Sequence, residues 1–480
     1  MPNRYVREFD LGGRVTRLPL GNILKGGAVR TLTYDAAGRV TKTEHAGSGL
    51  AGDLAPSLNQ SYGYDDLDRL TYFMGNGTTA RYQYDASGNR TQLAYGGQTF
   101  VNTINPASNQ LQKTTGPLPV KTNVYDAAGN LASDGTITYL YNARGRLQSA
   151  QSGAITATYH HNGLDQRAVK IVKMSSSVNA PVETTHFIYD ESGRLIGEYD
   201  TNGALIQETV YLGYLPIAIF KSGKINEPAH QGIYYIYSDH LNTPRVITDS
   251  MDNQIVWRWD LTDPFGASQP VDAVQGRGTF SYNLRFPGQY YDRETNLHYN
   301  YFRDYDPQMG RYVQSDPIGL EAGINTYVYV FANPLSYVDP KGLDIWIEGP
   351  SKNEPSFHQS VNVGNPNGSY SSYSYGMNGH GLEGQVYRDV DLGGPFEAYK
   401  KTSAVQDAVF KAAMEGKLGE KGTYGYDDIC RSWSQRQYNN APGFSVAPPH
   451  RLSARHFNVT PSSSRSPTGA SSTTGTGTSQ

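Results

Sequence analysis

The sequence predicts a mainly β protein: a long sheet of repeated hairpins curled into a shell, followed by a small α+β domain at the C-terminus. Three observations predict it. A Tyr-Asp-x-x-Gly-Arg/Asn-Leu/Val unit recurs through the first half of the chain. Glycine (52 residues) and tyrosine (37) are abundant in a chain of 480, while charged residues make up only 18%. That mix suits short strands joined by tight turns, with tyrosine supplying apolar area and a polar tip. After residue 343 composition and period change together, so residues 344–480 form a separate unit.

Bulk properties narrow the functional classes. An aromatic content of 12% argues against disorder. The net charge of -3 gives no electrostatic footprint for nucleic acid. Residues 344–480 carry 12 Lys+Arg and 12 Asp+Glu, so that unit is not basic either. One cysteine excludes an intramolecular disulfide and a cysteine-based zinc site, and no cofactor is expected. No run of 18 apolar residues occurs, so stable membrane insertion is not expected. Residues 1–29, read as an N-terminal segment, have no apolar core of a signal peptide, so export calls for a dedicated machine or another polypeptide.

Residues 30–235 hold the repeats. Tyr34-Asp35-Ala-Ala-Gly38-Arg39-Val40 returns at Tyr64-Asp65 to Leu70, Tyr84-Asp85 to Arg90, Tyr125-Asp126 to Leu131, Tyr141-Asn142 to Leu147 and Tyr189-Asp190 to Leu195. Weaker copies lie at Asn105 to Asn109 and Tyr159 to Arg167. Each unit reads as strand, turn, strand. Asp bonds its own backbone to open the turn, Gly takes the positive-φ position, and Arg or Asn leads into the next strand. One hairpin cannot bury its own face, so the copies must stack. A sandwich or propeller is the alternative, but it calls for more regular blades.

Residues 236–343 follow with a denser motif. Tyr237-Ser-Asp239-His240, Trp259 to Gly266 and Arg285-Phe-Pro-Gly288 lead into Leu297-His-Tyr-Asn300-Tyr-Phe-Arg303-Asp304-Tyr305 and Gly310-Arg311-Tyr312. Two Asp-Pro corners, Asp316-Pro317 and Asp339-Pro340, stand on either side of Asn333-Pro334 and precede Lys341-Gly342-Leu343. An Asp-Pro pair alone is an ordinary turn. Two carboxylates brought together can instead provide an acid and a base from one residue type, with an arginine orienting one of them.

These motifs resemble, nearly letter for letter, the Rhs (YD-repeat) family, over roughly residues 30–343. The resemblance implies a cocoon of spiralling strands that encloses a C-terminal toxin. It implies self-cleavage at Leu343–Asp344, with Asp316 and Asp339 as the catalytic pair and Arg303 in support. It also implies a cognate immunity protein, a secretion apparatus or chaperone, and delivery of the effector into a target cell.

Residues 344–460 read as the effector. Asp344–Pro350, Ser356–Asn365, Ser371–Gly376 and Gln385–Arg388 read as strands, Ser403 onward as a helix, and Asp427 as the N-cap of a second helix. Cys430 then falls in a first helical turn, where the dipole favours a thiolate, and His358 on an earlier strand is the candidate base. That order resembles permuted papain-like cysteine hydrolases, which implies an amide or ester substrate in the prey cell. Ser374 is a candidate third member, and His380, His450 and His456 are alternative bases. A buried small apolar role for Cys430 is the bland reading. Residues 461–480, rich in Ser, Thr and Gly, read as disordered. Two other functions fit the same chain: a non-enzymatic surface or adhesion repeat protein, and a nuclease effector. Neutral charge and the lack of a metal-binding cluster weigh against the nuclease.

Overall fold

A computed structural model describes residues 5–47, 58–174, 181–222, 231–274, 277–317, 319 and 324–340; of residues 344–480 it describes the backbone of six strands. By backbone contacts the chain divides into two compact units, one built on Met1–Asp344 and one on Ile345–Tyr399 with later segments.

The first unit contains two long antiparallel meanders. Strands β1 (Glu8–Phe9) to β11 (Lys121–Thr122) form an 11-stranded sheet, and β12 (Val124–Tyr125) to β24 (Ile255–Arg258) a 13-stranded one, each with its strands in sequence order. The repeat turn explains both. At Tyr34-Asp35, the Asp35 amide donates to the Arg39 carbonyl (3.0 Å) and the Gly38 amide to the Asp35 carbonyl (3.0 Å). Asp35 Oδ1 accepts from the amides of Ala37 (3.0 Å) and Arg39 (2.9 Å), and Oδ2 accepts from Arg39 Nε at 2.7 Å. Gly38 has φ 86°, open to glycine at no steric cost. Where Gly is absent, Asp68 (φ 61°) and Asp165 (62°) take the same place.

One repeat is clamped to the next by its tyrosine. Tyr34 Oη donates to the Val15 carbonyl, Tyr64 to Val40 and Tyr84 to Leu70, each at 2.7 Å. The same rings lie beneath the preceding turn's arginine: Arg14 over Tyr34 at 4.8 Å, Arg39 over Tyr64 at 5.1 Å, Arg69 over Tyr84 at 5.0 Å. Each clamp contributes about 1 kcal/mol from its hydrogen bond and about 0.5–1 from the cation–π contact. The register shifts just before the tyrosine, at Thr33/Tyr34, Gly63/Tyr64, Gln83/Tyr84, Leu140/Tyr141 and Ile188/Tyr189. A bulge repeated at every turn adds twist in one sense, which curls the sheet.

The two ends of the array meet. Arg7 Nη2 donates to the Asp239 carbonyl and to Asn242 Oδ1, both at 3.0 Å, and Asn22 Nδ2 reaches Asn253 Oδ1 at 3.1 Å. Leu18, Leu20 and Ala28 share one apolar cluster with Tyr237 and Val246. The sheet also runs on to Arg258, beyond the last clear repeat in the sequence.

A four-stranded sheet packs against both meanders: β25 (Tyr290–Asp292), β26 (Leu297–Asn300), β27 (Arg303–Asp306) and β28 (Arg311–Tyr312). Arg90 Nη1 donates to the Gln308 carbonyl from one meander, and Arg146 Nη1 to the Phe302 carbonyl from the other. Its core is aromatic: Trp257, Trp259, Phe280, Tyr282, Phe286, Tyr305, Tyr312 and Tyr329 form one buried cluster.

The second unit holds a six-stranded sheet in the order Phe396–Lys400, Asp344–Glu348, Ser360–Gly364, Tyr370–Met377, Glu383–Asp389, Lys421–Thr423. Two of these, Asp344–Glu348 and Ser360–Gly364, fall within segments read as strands, and two more, Tyr370–Met377 and Glu383–Asp389, contain the read segments and run past them at both ends. The first and last were not foreseen, and the helices expected from Ser403 and Asp427 lie outside the described residues.

Candidate functional site

The aspartates of the two Asp-Pro corners meet on one arginine. Arg303 opens β27 opposite Asn300, the last residue of β26. Its Nη1 lies 3.0 Å from Asp316 Oδ2 and its Nη2 lies 3.3 Å from Asp339 Oδ2. The sequence reading gave the arginine one carboxylate to orient; it spans both. Side-chain exposure is 5% for Arg303, 2% for Asp316 and 11% for Asp339, so Asp339 is the carboxylate with more access to solvent.

Backbone contacts fix each member. The Asp316 amide donates to the Thr326 carbonyl at 2.9 Å, and that same carbonyl accepts from Arg303 Nη1 at 3.3 Å. Asn300 Nδ2 donates to the Asp339 carbonyl at 2.8 Å. Tyr312 Oη donates to Asp339 Oδ2 at 2.6 Å, and the Arg303 guanidinium carbon lies 3.6 Å from the Tyr312 ring centroid. Burial, reinforced by the charge of Asp339, raises the Tyr312 phenol well above its ordinary range, so it stays a donor. Gly288 lets Pro340 come close: a Cβ there would stand 2.1 Å from the Pro340 carbonyl oxygen, and its φ of +84° disfavours any other residue.

A buried ionic network lies immediately beside this site and was not foreseen from sequence. Arg167, on β17 (Arg167–Lys173), pairs with Asp292 and Asp304, and Lys170 pairs with Asp292 at 2.9 Å and Glu294 at 3.4 Å. Burial pushes Asp304 up to about 6 against the opposing pull of Arg167. Arg167 and Lys170 lie more than a hundred positions from these carboxylates, and no local motif marks them.

Leu343 lies outside the described residues, as do Cys430, His358, His380, His450 and His456; Ser374 falls on the strand Tyr370–Met377. Among the described residues, no group of three or more His, Cys, Asp or Glu could hold a metal ion, and no helix is long and apolar enough to cross a membrane.

A turn repeated with its own Asp–Arg clasp, and a boundary motif packed on the resulting sheets, is matched by one family model. The teneurin YD-shell model covers residues 26–333. The chain belongs to the teneurin YD-shell family. Among curated relatives, this YD-shell is 27% identical over 373 residues to the double-stranded DNA deaminase toxin A of Burkholderia cenocepacia, covering 65% of the chain and 24% of that protein. It is 26% identical over 375 residues to toxin protein Tse5 of Pseudomonas aeruginosa (70% and 25%). It is 27% identical over 367 residues to the probable deoxyribonuclease RhsA of Dickeya dadantii (70% and 24%). The chain thus spans about a quarter of the length of these relatives. The crystal structure of TcdB2-TccC3 shares the YD-shell fold at a TM-score of 0.56 and 20% identity, over 71% of this chain and 18% of that one.

Proposed function

We propose that this YD-shell is the carrier part of a polymorphic toxin used between bacteria, and that it cuts its own chain at Leu343–Asp344 to free residues 344–480 as the effector. The observation that carries the proposal is the Arg303 guanidinium, which gathers Asp316 and Asp339 from opposite ends of the boundary motif. Asp339 stands four positions before the bond to be cut. An ionised carboxylate there takes a proton from water, whose oxygen attacks the Leu343 carbonyl carbon. On collapse the C–N bond breaks and the proton passes to the departing amine of Asp344. Asp316 holds Arg303 in place, and Arg303 orients the Asp339 carboxylate.

Intact mass of the purified full-length chain, beside Asp339→Asn, tests this. The expected result is two polypeptides parted at 343–344 for the unaltered protein and one for the variant. A variant split to the same extent removes Asp339 from the reaction.

The relatives' names support the toxin reading and expected partners: an immunity protein, a delivery apparatus or chaperone, and a prey-cell target. They name a DNA deaminase and a deoxyribonuclease, which favours nucleic acid as the effector's target despite the neutral charge of residues 344–480. The thiol mechanism through Cys430 and His358, acting on an amide or ester, is the second reading, carried by the sequence order alone. Expression of residues 344–480 in a bacterial host beside Cys430→Ala separates them. Toxicity lost with the cysteine supports the hydrolase. Toxicity that persists, with fragmented or deaminated host DNA, supports the first.

A further inference from the structure

We propose that Arg30 and Arg245 form a buried site for one small monovalent anion, chloride in ordinary surroundings, which fastens the two ends of the strand array together. The site is independent of whether the chain cuts itself. Arg30, on β3 (Ala28–Tyr34), comes from the first meander, and Arg245, on β23 (Pro244–Asp249), from the second. They are 4% and 3% exposed.

Charge at this place is unbalanced. Asp239 is the carboxylate that the two arginines share: its Oδ2 lies 3.5 Å from Arg245 Nη1 and 4.0 Å from Arg30 Nη1. Its Oδ1 is committed to the amides of Leu241 and Thr243, each at 3.0 Å. The next acid, Asp260, is matched by Arg258, which donates to it through Nε and Nη2. Arg245 is otherwise held by the main-chain oxygens of Trp259 and Asp260, both at 2.8 Å, which bind the cation without neutralising it. His45 Nε2 accepts from Arg30 Nε at 2.9 Å. Burial, with Arg30 adding to it, pushes that histidine down to about 2, so it is neutral. Burial likewise holds the neighbouring Tyr62 phenol above its ordinary range and uncharged. Two buried cations therefore face one carboxylate, and a buried charge left unmatched is costly. Burial first, and then the charge of Arg245, push Arg30 down to about 9 against the pull of Asp239.

The geometry selects the guest. Among the described residues Arg30 makes its hydrogen bond through Nε, and its two Nη groups make none. Both guanidiniums line a cavity of about 20 Å³, walled on its apolar side by Leu20, Ala28, Val246 and Ile255. A single water needs roughly 10–15 Å³ of such space, so a halide fits and phosphate or sulfate does not. A cation is repelled by both arginines, and a water leaves their surplus charge unmatched. Because the two guanidiniums belong to opposite ends of the array, the site exists only when those ends have met. An ion bound there stabilises the joined state over the parted one.

Thermal melts of the full-length protein test this at a constant ionic strength of about 0.15 M, with sodium gluconate exchanged stepwise for sodium chloride. The melting temperature is expected to rise saturably with chloride, by about 2–4 °C in all. Arg30→Met removes the surplus charge and is expected to lose that response, while Arg30→Lys keeps the charge and part of the response. Crystals grown in bromide are expected to show an anomalous peak between the Arg30 and Arg245 guanidiniums. Equal melting in gluconate and chloride overturns the proposal; a bromide peak then marks an adventitious ion only. A response that Arg30→Met retains in full places the ion elsewhere and overturns it as well. If Arg30→Met does not fold, the parent's bromide map decides: without a peak in the cavity the guest is water and the proposal falls.

Discussion

Asp35 in the repeat array and Asp339 at the boundary are both aspartates paired with arginine, yet the two regions use that pair differently. In the array the partner is Arg39, four positions away, and the carboxylate side chain is 23% exposed. The contact closes one turn, and the next turn repeats it. At the boundary Arg303 reaches Asp316 and Asp339 across 36 positions in the second case, with the arginine 5% exposed. The array builds a sheet from many cheap local clasps, while the boundary concentrates charge in one buried place. A surface ion pair contributes roughly 0–1 kcal/mol, whereas stranding one half of a buried pair costs roughly 3–5 kcal/mol.

That contrast can be broken at its strongest point first. Arg303→Met leaves two buried carboxylates without their shared cation, and unfolding in urea should show a loss of about 3–5 kcal/mol. A loss under about 1 kcal/mol, the surface-pair value, erases the distinction between the two regions.

The next effect is in pH. Asp304 is raised to about 6 in the folded chain, so between its unfolded value of 3.8 and that point the folded state holds the extra proton. This contribution to stability is present at low pH and is lost as pH rises through about 6. Against Asp304→Asn, which does not titrate, the parent should lose on the order of 1–3 kcal/mol more between the two ends of that window. Parallel stability curves for the two proteins contradict the burial of this carboxyl.

Glycines sharpen the same comparison. Gly38 and Gly288 have nearly equal φ, 86° and 84°. A Cβ at Gly38 meets nothing nearer than Arg14 Nη1 at 3.6 Å, while one at Gly288 meets the Pro340 carbonyl oxygen at 2.1 Å. Gly38→Ala should cost about 1–2 kcal/mol from the backbone alone. Gly288→Ala should cost more and slow cleavage as well, because Pro340 adjoins Asp339. Thermal melts of the two variants check the order. The smallest effect is Tyr84→Phe, which removes one clamp hydrogen bond and keeps the ring under Arg69; about 1 kcal/mol in the same melt is expected.

The array was legible because its signals are local. Tyr, Asp, Gly and Arg sit within six positions, and each of the six clear copies ends one strand at its tyrosine and begins the next after the turn. Two further turns carried the signal in altered form. Asp10 with Gly13 and Arg14 follows Phe9 instead of Tyr, and Asp200 with Gly203 ends in Ala204 instead of Arg; both close the same hydrogen bonds. At the boundary, Asp316, Asp339 and Arg303 were picked out by resemblance, since an Asp-Pro dipeptide says only that the chain turns. Nothing in the spacing of Asn300, Tyr312 or Gly288 points to Asp339. Their roles come from the antiparallel register of β26, β27 and β28 and from the path of residues 325–340. The pairing of Arg167 with Asp292 and Asp304 likewise joins a repeat strand to the boundary sheet, and only the folded chain brings them together.

The most direct test of the account is the intact mass of freshly purified full-length protein carrying Asp316→Asn, measured beside the parent and with a thermal melt of both. The account predicts a parent parted at Leu343–Asp344 and a folded variant that stays whole, because Arg303 has lost the charge that anchors it beside Asp339. A folded Asp316→Asn chain that parts at the same bond, as fast as the parent, contradicts it.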